Sequence, residues 1–329
     1  MNNQILFIIS LFLIVFISGC VQQPQELNAS SIDSQPNISE SINNTSLQPK
    51  ELRFEWIKDE GVRANGGIPF IHKLKDGRYR LYYCGEGGIL SAISSDGFNF
   101  QVEDGVRVLS SYSYESIVCD PTVVNLPDGR FRMYYKGSTG GGGPGQAIHK
   151  IFSAISTDGL SFQKEGLRID SEKTGDNGWA SVPDAIMLPD GRVRIYYVSA
   201  NTTRGIASAI SDDGLSFQIE NDSILKEFVD PAVIILPDGR YLMLANLMSK
   251  LPAQMAALAQ RNISVDLGIH SFISDDGLTF GFLQIVLEEP GVADPSIVQL
   301  NNNTYRVFFG KESSSWSGFV TQSLTGRIT

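Results

Sequence analysis

Cysteine, histidine and tryptophan are scarce in this chain, with three of each among 329 residues. His72, His149 and His270 are scattered without metal-ligand spacing, which argues against a zinc site. Basic residues are outnumbered as well: 26 Lys and Arg face 36 Asp and Glu, for a net charge of −10. Phosphate binding needs clustered Lys and Arg to release counterions, so a nucleic-acid partner is not expected. An acidic, Gly-rich and aromatic-rich chain suits a neutral or cationic small ligand better. A phosphate cradle is also missing. The glycine run Gly140-Gly141-Gly142-Gly143-Pro144 is followed by no Lys-Ser or Lys-Thr and opens no helix, so Gly137–Gly145 reads as a rim loop.

Long apolar runs are rare, and the one that stands out, Ile5–Ser18, is too short to span a bilayer comfortably. Its length suits the core of a signal peptide. Ile17-Ser18-Gly19-Cys20 resembles the lipobox of prokaryotic lipoproteins, in which Cys20 is lipidated and becomes the mature N-terminus; Met1-Asn2-Asn3-Gln4 departs from that pattern by carrying no Lys or Arg. The other reading is a retained N-terminal anchor with an incidental cysteine. Either way, the remainder is expected outside the cytoplasm. Residues 21–50, rich in Gln, Asn, Ser and Pro, bury too little to offset the entropy of ordering and read as a tether. Tripeptides of the N-glycosylation type fall there, among them those at Asn28, Asn37 and Asn44, and another lies at Asn201.

What the chain has in quantity is repetition, with a period of roughly 50 to 60 residues. Four D-G turns end in an aromatic: Asp96-Gly97 to Phe100, Asp158-Gly159 to Phe162, Asp213-Gly214 to Phe217 and Asp276-Gly277 to Phe280. Each follows an apolar strand-like run, the signature of a hairpin whose Gly supplies the positive φ of a tight turn. A second set precedes them at Lys75-Asp76-Gly77-Arg78, Pro127-Asp128-Gly129-Arg130, Pro189-Asp190-Gly191-Arg192 and Pro237-Asp238-Gly239-Arg240, with a degenerate fifth at Asn301-Asn302-Asn303. Each unit then reads as four strands, which is a propeller blade. The fifth unit lacks its fourth strand, ending at about Ser323 or a little beyond. Leu52-Arg53-Phe54-Glu55-Trp56 with Glu60-Gly61-Val62-Arg63 matches the fourth-strand pattern of Leu160–Arg168. Residues 51–329 are therefore expected to form an all-β, five-bladed propeller closed by its N-terminal strand, which leaves no large sheet edge exposed.

A five-bladed ring whose blades open with Asp-Pro resembles the arabinanase, levansucrase and invertase superfamily, that is, glycoside hydrolase families 43 and 32. The D-G turns also resemble, more distantly, the Asp-boxes of six-bladed sialidases. The resemblance implies three carboxylates at the entrances of the first three blades: a nucleophile or base, an orienting Asp and a protonated acid. Blade two keeps its carboxylate at Asp120, in Cys119-Asp120-Pro121. Blade one has Ile68 at that place, and blade three has Ser181 where the acid Glu is expected. Neither residue can do a carboxylate's work. Asp184, Glu86 and Glu115 are the candidates for relocated chemistry.

Asp120, Asp230 and Asp294 head first strands and Asp184 lies two residues further in, all on one face of the ring. They are candidates for hydrogen-bonding sugar hydroxyls, a cationic group or a calcium ion; the alternative is that each caps backbone amides in its own blade. Lys136, Arg204 and Lys311 follow second strands and can pair with those carboxylates, bind an anionic sugar or remain solvated. Trp179 and Trp316 lie in loops of the same face, as sugar platforms or as packing. Leu251–Asn262 reads as a short helix walling one side. With Cys20 assigned to lipid, Cys84 and Cys119 fall on one rim of adjacent blades and are candidates for a disulfide. The leading expectation is a monomeric, membrane-anchored lipoprotein that binds carbohydrate in its funnel. The alternatives are an active glycosidase with relocated carboxylates and a structural or protein-binding envelope module.

Overall fold

The computed structural model of the protein describes residues 52–140, 147–200, 205–247, 268–313 and 318–329. Cys20, the tether, Gly141–Gly145 of the rim loop, Arg204, Leu251–Asn262 and Trp316 lie outside the described residues.

Alternating apolar residues between turn signals give twenty strands in five antiparallel four-stranded sheets. Blade one comprises Gly67–Lys73, Tyr79–Gly85, Gly88–Ser94 and Gln101–Leu109, and blade two Ile117–Asn125, Phe131–Ser138, His149–Ser156 and Gln163–Ile169. Blade three comprises Ala180–Met187, Val193–Ser199, Gly205–Ser211 and Gln218–Lys226, and blade four Phe228–Ile235, Tyr241–Leu247, Gly268–Ser274 and Gly281–Glu288. Blade five takes Val292–Asn301, Thr304–Glu312 and Phe319–Ile328 from the C-terminal end and Phe54–Lys58 from the other, with Phe54 opposite Ile328 and Lys58 opposite Leu324. Its third strand thus runs past Ser323 to Ile328. The first strands touch one another around the ring and frame the central channel.

The core is divided into five slabs, each between neighbouring blades. Tyr82 and Ile89 pack on Met133 and Tyr135, for example, and Leu242 and Leu244 pack on Phe54, Tyr305 and Phe309. Four slabs carry a polar latch beside the apolar contact. The second strands of blades one to three repeat Arg-x-Tyr, and each pair reaches the D-G turn of the next blade. Arg80 Nη1 donates to the Asp158 carbonyl and Tyr82 Oη to that of Gly159; Arg132 and Tyr134 do the same to Asp213 and Gly214, and Arg194 and Tyr196 to Asp276 and Gly277. The three arginines are nearly buried and are each paired to a fourth-strand glutamate of their own blade, Glu103, Glu165 or Glu220. Arg306 of blade five closes the series on the Gly97 carbonyl of blade one.

The junction between blades four and five differs. Leu242 and Leu244 occupy the Arg and Tyr positions, both fully buried. Blade five has no D-G turn to accept such bonds, because its third and fourth strands come from opposite ends of the chain. Buried Arg and Tyr there would be left without partners, at a cost of about 1–3 kcal/mol for each unsatisfied group.

Candidate functional site

Every first strand begins with a bulge of one design. Ile68, Asp120, Val182, Asp230 and Asp294 each precede a proline and adopt a left-handed φ, between 46° and 56°. The ladder to the second strand shifts register at each of them. Asp tolerates this conformation better than most residues, whereas β-branched Ile68 and Val182 are strained there. The bulge turns these five side chains toward one end of the channel. Four of them, Ile68, Asp120, Val182 and Asp294, line a cavity of only about 20 Å³ together with Phe70, Asp184 and the bulge prolines. That is room for about one water molecule.

Asp120 is buried at 2% exposure and held from three sides. Lys136 Nζ lies 3.0 Å from Oδ2, the Val182 N–H donates to Oδ2 at 3.1 Å, and the Ser181 hydroxyl reaches it at 3.4 Å. Ser181 is in turn 3.1 Å from His149 Nδ1, and the His149 ring stacks on Trp179 with centroids 3.6 Å apart. Burial, with the Lys136 charge adding to it, pulls His149 down to about 4, so the imidazole is neutral at physiological pH. One face of Trp179 is thereby covered, leaving at most the other as a platform. The Asp294 N–H donates to Asp230 Oδ2 at 3.4 Å. Burial pushes both carboxyls up; the nearby Asp120 adds to it for both, and the Asp230 charge adds to it for Asp294.

Asp184 does a different job. Its Oδ2 accepts the Val233 N–H of blade four at 2.6 Å and its Oδ1 the Thr122 hydroxyl of blade two at 3.3 Å, so it ties three inner strands together. Burial pushes it up to about 7. Glu86 is exposed on the tight turn between the second and third strands of blade one, and Glu115 binds the Tyr135 hydroxyl at 2.8 Å and Lys164 at 2.9 Å. Lys311 pairs with Glu289 at 2.7 Å and donates to the Pro290 carbonyl, away from the entrance carboxylates. The structure thus brings Asp120, Asp230, Asp294 and Lys136 to one place, with Asp184 beneath them, and leaves Glu86, Glu115 and Lys311 on the rim. His149 and Ser181 join the site as partners that their residue types alone did not mark; the signal was positional, since Ser181 stands next to the bulge residue.

Cys84 and Cys119 form a disulfide between blades one and two, with Cα atoms 5.2 Å apart. The bond sits directly beside Asp120, whose N–H points at Cys84 Sγ. Among the described residues, the only three potential metal-ligating atoms gathered within 4.8 Å belong to Cys84, Cys119 and Asp120. Both sulfurs are consumed by the disulfide, so this group does not suit a metal ion.

The architecture is shared with solved structures. An endo-arabinase from Bacteroides thetaiotaomicron superposes with a TM-score of 0.60 at 13% identity, over 82% of this chain and 98% of that one. A family 117 glycoside hydrolase from the marine bacterium Zobellia galactanivorans gives 0.60 at 16% identity, over 84% and 90%. The Bombyx mori family 32 β-fructofuranosidase gives 0.58 at 13% identity, over 82% of this chain and 61% of that one. The fold is that of the family 43 and family 32 glycoside hydrolases. No family model matches the chain, and no curated protein matches it in sequence. At such identities the glycoside-hydrolase-like propeller is a statement about backbone architecture, and chemistry has to be argued from the site.

Proposed function

We propose that the protein is a lipid-anchored, extracytoplasmic propeller that binds carbohydrate at the acidic end of its channel and has lost the hydrolytic chemistry of the fold. The observation that carries this is the composition of the bulge ring. Of the three blades that hold catalytic carboxylates in the hydrolases it resembles, only blade two retains one, and Asp120 is locked by Lys136, Ser181 and the Val182 amide. Ile68 and Val182 place aliphatic side chains in the other two bulges. What remains is an array of mixed hydrogen-bonding sense: the Asp120–Lys136 ion pair, and Asp230 and Asp294, whose carboxyls burial pushes up. Sugar hydroxyls donate and accept, so they complement such an array. The cavity admits a hydroxyl or hydroxymethyl group, and the ring itself would sit above it.

A second reading, a glycosidase with a relocated acid, is favoured by one feature. The acidic end gathers Asp120, paired with Lys136, and two carboxyls that burial pushes up, and acid–base hydrolysis requires carboxyls in such contrasting environments. Screening the protein against a glycan array, followed by calorimetry and product analysis on each hit, separates the two. We expect saturable binding without released sugar and at least about tenfold weaker binding by Asp120→Asn. Released product would favour the hydrolase, and no glycan bound at all would overturn both. Anchoring is tested separately: Cys20→Ala should release the protein from the membrane fraction.

A further inference from the structure

Three to five residues beyond the bulges, the same first strands frame a second cavity, of about 350 Å³. At about 3.3 Å per residue this lies some 10–17 Å further along the channel, toward its opposite end. His72, Asn125, Met187, Ile234, Ile235 and Gln299 line it, so all five blades contribute. Among the described residues no Asp, Glu, Lys or Arg does.

Three consecutive residues from each of three blades line this cavity: Val123–Asn125, Ala185–Met187 and Val233–Ile235. Side chains alternate between faces of a strand, so three in a row means that the strand edge itself faces the space. These are edge strands of their sheets, so their outer N–H and C=O groups have no ladder partner, and of the lining residues Ala185 and Val233 have their N–H groups taken by Thr122 Oγ1 and Asp184 Oδ2. The polar side chains are ordered too. His72 is 8% exposed, and its Nε2 lies 3.2 Å from Asn125 Oδ1. Met187, Ile234 and Ile235 are half-buried and complete an apolar wall.

We infer that this end of the channel is a second ligand site, for a small neutral molecule that combines an apolar ring with one or two hydrogen-bonding groups, such as an aromatic alcohol or amide. The volume falls at the small end of small-molecule sites, and the lining is the usual mixture of apolar wall and a few placed polar groups. A charged ligand would shed its water and find no counter-charge. The inference does not depend on sugar binding at the other end.

Ligand-observed NMR on the full chain tests it with benzyl alcohol and benzamide against protonated benzylamine and benzoate. The neutral pair is expected to bind saturably and the charged pair at least about tenfold more weakly. Met187→Trp and Gln299→Trp, which fill the cavity from two different blades, should each weaken the neutral probes at least about tenfold while unfolding remains cooperative. Equal binding of neutral and charged probes, no saturation, or indifference to both filling variants would overturn the inference and leave a water-filled channel mouth.

Discussion

The two ends of the central channel are built from the same five strands and have opposite chemistry. At the bulge end, carboxyls crowd together around a single lysine, and burial pushes Asp184, Asp230 and Asp294 up. At the far end no charged side chain lines the cavity, and burial pulls His72 down to about 4. The difference shows how a symmetric fold acquires polarity. The bulge fixes which side chains converge at one end, while the regular strand beyond it offers its backbone edge and small aliphatic groups at the other.

The comparison breaks hardest at Lys136. Lys136→Met leaves Asp120 buried with its charge unpaired and should cost about 3–5 kcal/mol, read from urea unfolding at neutral pH. Adding Asp120→Asn should recover most of the loss, because the isolated charge is then gone. If the double variant is no more stable than the single one, the lysine acts through packing and not through charge.

The next effect is in the pH profile, where the two ends pull in opposite directions. Asp184 in the folded protein sits at about 7, above its ordinary 3.8. Its contribution to stability is therefore full below 3.8 and is lost as pH rises through 7. His72 sits at about 4, below its ordinary 6.5, so its contribution is full above 6.5 and is lost as pH falls toward 4. Between pH 4 and 6.5 the two slopes offset each other. Relative to the unsubstituted protein, Asp184→Asn should tilt stability upward with pH across that window and His72→Gln should tilt it downward, each by on the order of 3 kcal/mol, while His149, Asp230 and Asp294 contribute to all three profiles alike. Thermal unfolding at several pH values reads both changes, and changes of the same sign would contradict the assignment.

A smaller effect is expected at the coupled pair. Asp294→Asn removes a carboxyl that burial and the Asp230 charge push up, and should raise stability at pH 7. The gain should shrink as pH falls and the pair protonates. A loss at every pH would mean that the Asp294 side chain makes a bond that asparagine cannot replace.

Much of the fold was legible because its determinants are local. Asp96, Asp158, Asp213 and Asp276 each accept the N–H groups two and three residues on, which is why the D-G turns stood out and the blades could be counted. Closure by Phe54–Lys58 was legible from a repeat missing its last strand. The Arg-x-Tyr latch was visible as text, in Arg80-Leu81-Tyr82 and its copies, but alternation alone accounted for it until the partner carbonyls of the next blade appeared. The site was legible only in part. Asp120, Asp230 and Asp294 shared a pattern with their prolines, and Ile68 could be matched to Asp120 by its distance from the turn; Val182 was missed, because blade three was matched on its neighbour Ser181. Asp184 read as a candidate acid because its type and neighbourhood suited one. Its bonds to Val233 and Thr122 depend on two other blades and on no local pattern.

Blade count, strand order and the seam follow from local chemistry, because strand alternation and turn residues act over a few positions and repeat. Which side chains meet is a matter of the closed ring: Lys136 pairs with Asp120, the Asp294 N–H reaches the Asp230 carboxylate, and His72, Met187 and Gln299 border one cavity without charged side chains. Those partners lie blades apart along the chain, and they converge only because ring closure brings the first strands around one axis.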